Sequence, residues 1–132
     1  MKKVIFDSYC LIAYLEKDSG YEKIVDYFES AVNNEMELLM CIVNWGEVYY
    51  IILREQGNEK VLEFEKLFQA LPIKIVNTDI ALTKVAAKFK AFKKLSYADC
   101  FAAATAVINK GELVTGDCEF KEVAKEVKIS WI

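Results

Sequence analysis

Four carboxylates stand out by position: Asp7, Glu47, Asp99 and Asp117. Asp7 directly follows the apolar run Val4-Ile5-Phe6, and Asp117 follows Leu113-Val114-Thr115 across Gly116. Glu47 falls in the expected first turn of a helix behind a second apolar run. Asp99 lies near the start of an alanine-rich helix, flanked by Ala98, Cys100 and Phe101, where a surface charge would be out of place. Gathering carboxylates in one cleft is unfavourable, because each raises its neighbours' pKa and desolvation adds to that. A hard divalent cation offsets the repulsion, and an all-oxygen donor set favours Mg²⁺ or Mn²⁺, which keep several waters and bind phosphate oxygens. Such an ion activates water and stabilises the charge of a phosphoryl transition state, so phosphodiester hydrolysis is the natural chemistry. Each acid alone has an ordinary role: Asp7 as a helix N-cap, Asp117 in a turn, Glu47 and Asp99 beside a helix dipole. Taken jointly at matching strand ends, they read as a site.

The rest of the composition narrows the chemistry. Histidine is absent, which removes Ser-His-Asp and Cys-His nucleophile pairs, HExxH zinc sites and imidazole general bases. Cys10, Cys41, Cys100 and Cys118 are widely spaced with no CxxC pair, so they are expected to be reduced, buried small hydrophobes rather than zinc or redox ligands. Seventeen Lys and Arg against 20 Asp and Glu give a net charge of −3, so any nucleic-acid contact must come from a local basic patch. With 55% hydrophobic residues in 132, the chain is expected to form one domain over residues 1–132. No uncharged run approaches the length of a membrane span, and Asp7 interrupts the only apolar stretch near the N-terminus. A cytoplasmic protein with no membrane association is the expectation.

The elements that must position the acids follow from periodicity. Val4-Ile5-Phe6 reads as a strand and Tyr9 to Glu16 as a helix; a second helix runs from beyond Asp18-Ser19-Gly20 to about Asn33. Leu38 to Val43 reads as a buried strand, with Asn44 as N-cap of a helix from Trp45 to Gln56. After Gly57-Asn58 another amphipathic helix carries Val61, Leu62, Phe64, Leu67 and Phe68. Pro72 precedes an edge-like strand, Ile73 to Val76, and Thr78 or Asp79 caps a helix through about Lys94. Ser96 caps a helix from Tyr97 to Asn109 whose alanines permit close packing; Leu113-Val114-Thr115 is a strand, followed by a short helix and a last strand near Ile129 to Ile132. Alternating strands and helices imply an α/β fold, with a mainly parallel sheet of about five short strands and helices on both faces. In such sheets ligands bind beyond the carboxyl ends of the strands, where the four acids fall. Tyr9, Tyr14, Trp45, Tyr49 and Tyr50 are expected to be mostly core, with any excess at a partner groove or dimer face.

The strings Val4-Ile5-Phe6-Asp7-Ser8-Tyr9-Cys10-Leu11, Asn44-Trp45-Gly46-Glu47-Val48-Tyr49-Tyr50, Leu95-Ser96-Tyr97-Ala98-Asp99-Cys100-Phe101-Ala102 and Val114-Thr115-Gly116-Asp117-Cys118-Glu119-Phe120 resemble those of PIN-domain nucleases. Within that group the chain is most similar to VapC-type toxins of prokaryotic toxin–antitoxin modules. The resemblance runs the length of the chain and implies an endoribonuclease dependent on Mg²⁺ or Mn²⁺, often a homodimer and inhibited by a cognate antitoxin. It implies that Asp7, Asp99 and Asp117 hold the metal and that Glu47 binds it through water or orients the attacking water. Ser8 and Thr115 would hydrogen-bond the carboxylates or metal waters, and Glu119 is an outer-shell acid. RNA contacts would come from Lys84, Lys88, Lys90, Lys93 and Lys94.

Two other phosphoryl-transfer sites also place acids at strand ends. A receiver domain wants an acidic pair after the first strand and an Asp after the third, where this chain has Asp7-Ser8 and Val76-Asn77; a haloacid-dehalogenase-type phosphatase wants a second Asp where Tyr9 stands. From a different class, the rival is a non-catalytic PIN-like module that binds RNA or protein without turnover.

Overall fold

The computed structural model describes residues 1–132. Strands β1 (Lys2–Phe6), β2 (Met36–Cys41), β3 (Lys74–Val76), β4 (Glu112–Thr115) and β5 (Ile129–Trp131) form one sheet in the order β3-β2-β1-β4-β5. All neighbours pair in parallel, with Val4 opposite Leu38 on one side and Glu112 on the other. The edge position expected for the strand after Pro72 is where β3 lies.

Six α-helices cover the two faces: α1 (Ser8–Glu16), α2 (Tyr21–Val32), α3 (Ile42–Gln56), α4 (Asn58–Ala70), α5 (Ile80–Phe92) and α6 (Tyr97–Ile108); a 3₁₀ helix spans Cys118–Val123. Strand side chains alternate between faces, and the core divides accordingly. Val4, Phe6, Leu38, Met40 and Val114 pack with Cys10, Leu11, Ile24, Phe28, Val48 and Phe64 of the first four helices. Ile5, Leu39, Cys41 and Leu113 pack with Leu82, Ala86, Phe101, Ala102 and Phe120 on the other side.

Helix α6 is the buried one that its composition predicts, with Ala102, Ala103 and Ala104 fully enclosed. An alanine contributes little transfer energy, so its value here is the short distance it allows between α6, the sheet and α5. Asp79 rather than Thr78 caps α5, its Oδ1 accepting from the Leu82 N–H at 2.8 Å.

Three expectations need correction. The second strand ends at Cys41, two residues early, and α3 starts at Ile42 with no side-chain cap. Asn44 is therefore an interior helical residue, and Glu47 lies in the second turn of α3 rather than the first. Asn44 caps nothing, because its side-chain amide donates instead to the Ala98 carbonyl of α6. Cys10, Cys41 and Cys100 are buried as expected, whereas Cys118 is exposed where the chain leaves β4. Of the five aromatics expected to be mostly core, Tyr9 and Tyr50 are the exposed excess, and Trp45 packs against Tyr49, Phe64 and Phe68.

Candidate metal centre

The strand order runs outward from β1 through β2 to β3 on one side and through β4 to β5 on the other, so the direction of winding reverses between β1 and β4. At that reversal the crossover helices diverge to opposite faces and leave a crevice beyond the carboxyl ends of the two strands. Asp7 emerges from β1 and Asp117 from β4, one on each lip.

Asp7 is almost wholly buried, and both of its oxygens are engaged. Oδ1 accepts from the Cys10 N–H at 3.1 Å, capping α1, and Oδ2 accepts from the Thr115 hydroxyl at 2.5 Å. Thr115 Oγ1 in turn accepts from the Asp117 N–H at 3.0 Å. One buried hydroxyl thus links the acid of β1 to the acid of β4 and fixes their relative position. The Asp117 Oδ1 accepts from the Glu119 N–H at 2.9 Å, a turn that brings the Glu119 carboxylate back toward Asp117.

Asp99 sits in the first turn of α6, where the Ser96 hydroxyl caps its N–H at 3.2 Å. Glu47 faces the same crevice from α3, its Oε1 accepting from the Ser8 hydroxyl at 2.5 Å. Oxygens of Asp99, Asp117 and Glu119 lie within 4.8 Å of one another, close enough for one cation to touch all three. Sequence reasoning gave that place to Asp7 and an outer place to Glu119. The structure brings Glu119 into the group through the Asp117 turn, and both Asp7 oxygens accept hydrogen bonds, from the Cys10 N–H and the Thr115 hydroxyl.

The electrostatics match an incomplete site. Burial raises the Asp99 carboxyl to about 6, and the charges of Asp117, Glu47 and Glu119 add to the rise against the Ser96 hydroxyl. Burial likewise raises Asp7 to about 7, opposed by Thr115 and Cys10 and reinforced by the Asp99 charge. No lysine or arginine forms an ion pair with any of the five acids. An all-oxygen, mutually repelling and partly buried donor set fits Mg²⁺ or Mn²⁺.

Sequence reasoning missed Asn44. Fully buried in α3, it donates from Nδ2 to the Ala98 carbonyl of α6 at 3.0 Å and so ties the helix of Glu47 to the helix of Asp99. Its Oδ1 has no partner, and turning the amide over would set oxygen against the Ala98 carbonyl. A buried unpaired acceptor costs about 1–3 kcal/mol, so an apolar residue would serve stability better. An Asn just after an apolar run imitates an N-cap, and only the pairing partner 54 residues away distinguishes the two roles.

The sequence-predicted lysines divide. Lys84, Lys88 and Lys94 are exposed, whereas Lys90 Nζ donates to the Leu95 carbonyl at 2.8 Å and Lys93 pairs with Glu126 at 2.9 Å. Those two brace the passage from α5 to α6.

Comparison of whole sequences with curated proteins yields no significant match. Among solved structures, the chain superposes on a chain of VapBC2 from Rickettsia felis, bound to a promoter DNA fragment, with a TM-score of 0.78, 12% identity and 98% of each chain covered. DNA-bound VapBC from Salmonella typhimurium gives 0.76 at 15% identity over 99% of this chain and 98% of that one. VapC20 from Mycobacterium tuberculosis, described as a toxin that cleaves the sarcin–ricin loop, gives 0.73 at 12% identity over 94% and 95%. These likenesses extend the shared fold to both termini. The sequence itself matches the PIN domain over residues 4–126, which covers all five acids of the crevice, and the chain belongs to the PIN-domain family.

Proposed function

We propose that this chain is a metal-dependent endoribonuclease and the toxin of a VapC-type toxin–antitoxin pair. The observation that carries the reading is the cluster of carboxylates at the sheet's reversal point, which has no cationic partner within the protein.

Asp7, Asp99 and Asp117 would hold Mg²⁺ or Mn²⁺, with Glu119 beside Asp99 and Asp117 and Glu47 acting through water. When bound, the ion supplies Lewis acidity toward a phosphate oxygen and a water of lowered pKa. The chain's own part is positional. Thr115 holds Asp7 and Asp117 in register, Ser8 fixes the Glu47 carboxylate, and Ser96 sets the start of α6 so that Asp99 faces the crevice. Lys84, Lys88 and Lys94 are free to neutralise phosphates of an RNA strand.

Two of the structural relatives are toxin–antitoxin assemblies, VapBC of S. typhimurium and a complex from Klebsiella pneumoniae. By that likeness the chain would take a cognate antitoxin, and by its resemblance to VapC-type toxins it would form a homodimer. No helix is long and apolar enough to cross a membrane.

The test is cleavage of single-stranded RNA by the purified protein in Mn²⁺ or Mg²⁺, with EDTA as the control. Cleavage abolished by EDTA and restored by Mn²⁺ is the expected result. RNA binding with no cleavage in either metal would instead favour the non-catalytic module. Recovery of activity after removal of a small co-expressed partner would identify the antitoxin.

A further inference from the structure

Tyr9 stands two residues after Asp7, on the first turn of α1, yet the side of that helix facing the core is made by Cys10, Leu11 and Ala13. The tyrosine keeps 38% of its surface in solvent. Its ring lies against Gly116, so closely that a Cβ built there would come 2.3 Å from Cε1, 2.5 Å from Cζ and 2.8 Å from the hydroxyl. Gly116 does not have the left-handed backbone that requires glycine at Gly20 and Gly57. A side chain at 116 would have to displace the Tyr9 ring, which lies directly over this glycine. Since Gly116 joins Thr115 to Asp117, the ring is braced on the backbone between the residue that holds Asp7 and one of the clustered acids.

We infer that Tyr9 is a stacking platform for one unpaired nucleobase of the RNA, next to the phosphate that the carboxylate cluster engages. An aromatic ring braced on one edge loses little freedom on binding and presents a π surface that accepts any base and favours the strongest stackers. Its place beside the acids puts a stacked base within one nucleotide of the reacting phosphate. Tyr97, the other exposed tyrosine at this edge, is already occupied by an edge-on contact with Phe101, ring centroids 5.0 Å apart. A base rather than an apolar peptide side chain is favoured because the ring adjoins carboxylates that call for a metal and a phosphate.

This inference rests on the nuclease reading, and the experiment separates them. Tyr9→Leu and Tyr9→Trp are compared with the parent chain on a random-sequence single-stranded RNA pool in Mn²⁺, with the cut sites sequenced. Tyr9→Leu is expected to raise KM about tenfold. The same variant should leave kcat and the Mn²⁺ requirement within about twofold and flatten the base preference beside the cut. Tyr9→Trp is expected to restore KM, and in an Asp99→Asn background its added indole fluorescence should be quenched by the same RNA. Unchanged KM and cut pattern in Tyr9→Leu would overturn the platform while leaving the nuclease intact. Weakened antitoxin binding with unaltered RNA kinetics would also overturn it, in favour of a peptide contact. A parent chain that neither cleaves nor binds the pool would remove the nuclease reading, and the platform with it.

Discussion

The two ends of the sheet treat their carboxylates in opposite ways. At the amino end, Glu112 opens β4 from a buried position, and Lys2 at 3.5 Å and Lys128 at 3.3 Å reach over from β1 and from the approach to β5. At the carboxyl end, Asp7, Glu47, Asp99, Asp117 and Glu119 share a crevice with hydroxyls and backbone amides for partners and no internal cation. The first arrangement is complete within the chain. The second leaves its charge balance to something that binds, and this contrast separates a structural carboxylate from a functional one more sharply than burial does.

The comparison breaks most visibly at Asp99. Asp99→Asn is expected to lower Mn²⁺-dependent RNA cleavage by about 10³-fold. The midpoint of unfolding should stay level or rise, since the change removes like-charge repulsion; a matching loss of stability would mean that the cluster is structural. Next in size is Asn44→Leu. Removal of the α3–α6 tie should weaken the apparent Mn²⁺ affinity by about 10- to 100-fold, as for other residues that orient ligands, without loss of thermal stability. Mn²⁺ titration of activity beside a thermal melt checks both halves.

The pH dependence of stability sharpens the contrast. Asp99 at about 6 and Asp7 at about 7 both lie above the unfolded value of 3.8, so the folded chain holds these protons more tightly. Their contribution is complete below that unfolded value and is lost as pH rises through about 6 and about 7. In EDTA, the urea midpoint should therefore fall between about pH 4 and pH 7 and level off above, and Asp7→Asn should flatten the slope. Mn²⁺ should reverse the fall, most strongly at the high end, where protons no longer compete. Smallest in its effect on cleavage is Lys2→Met with Lys128→Met, which leaves the buried Glu112 without a cation and should cost about 3 kcal/mol of stability. RNA cleavage should not change.

The positions of the acids in the fold were legible because each lies at a boundary between local patterns. Asp7 and Asp117 end apolar runs, and Asp99 interrupts a run of alanines. Alternation of strand and helix also sufficed for the parallel sheet and for the exposed place of β3. What the sequence concealed depends on contacts across the chain. Asn44 looks like a cap because its partner Ala98 lies on another helix. Glu119 was legible as an acid near the site, but its place beside Asp99 and Asp117 depends on the turn closed by Asp117. Lys90 and Lys93 share a periodicity with the free lysines, and only the path between α5 and α6 shows that they are occupied. Tyr9 is one of five aromatics expected to be mostly core with an excess at a partner face, and only its packing on Gly116 shows which part it plays.

The strand order also carries a consequence for biosynthesis. The centre of the sheet is β1, at the start of the chain, and one of its two neighbours is β4, near the end. At the usual pace of translation, Asp7 leaves the peptidyl-transferase centre about 5 to 20 s before Asp117 does. Throughout that interval the nascent chain lacks Thr115, Asp117 and Glu119, and until well into it Asp99 also. A growing chain therefore cannot assemble the acidic crevice until β4 and the turn after it have been made, long after the central strand.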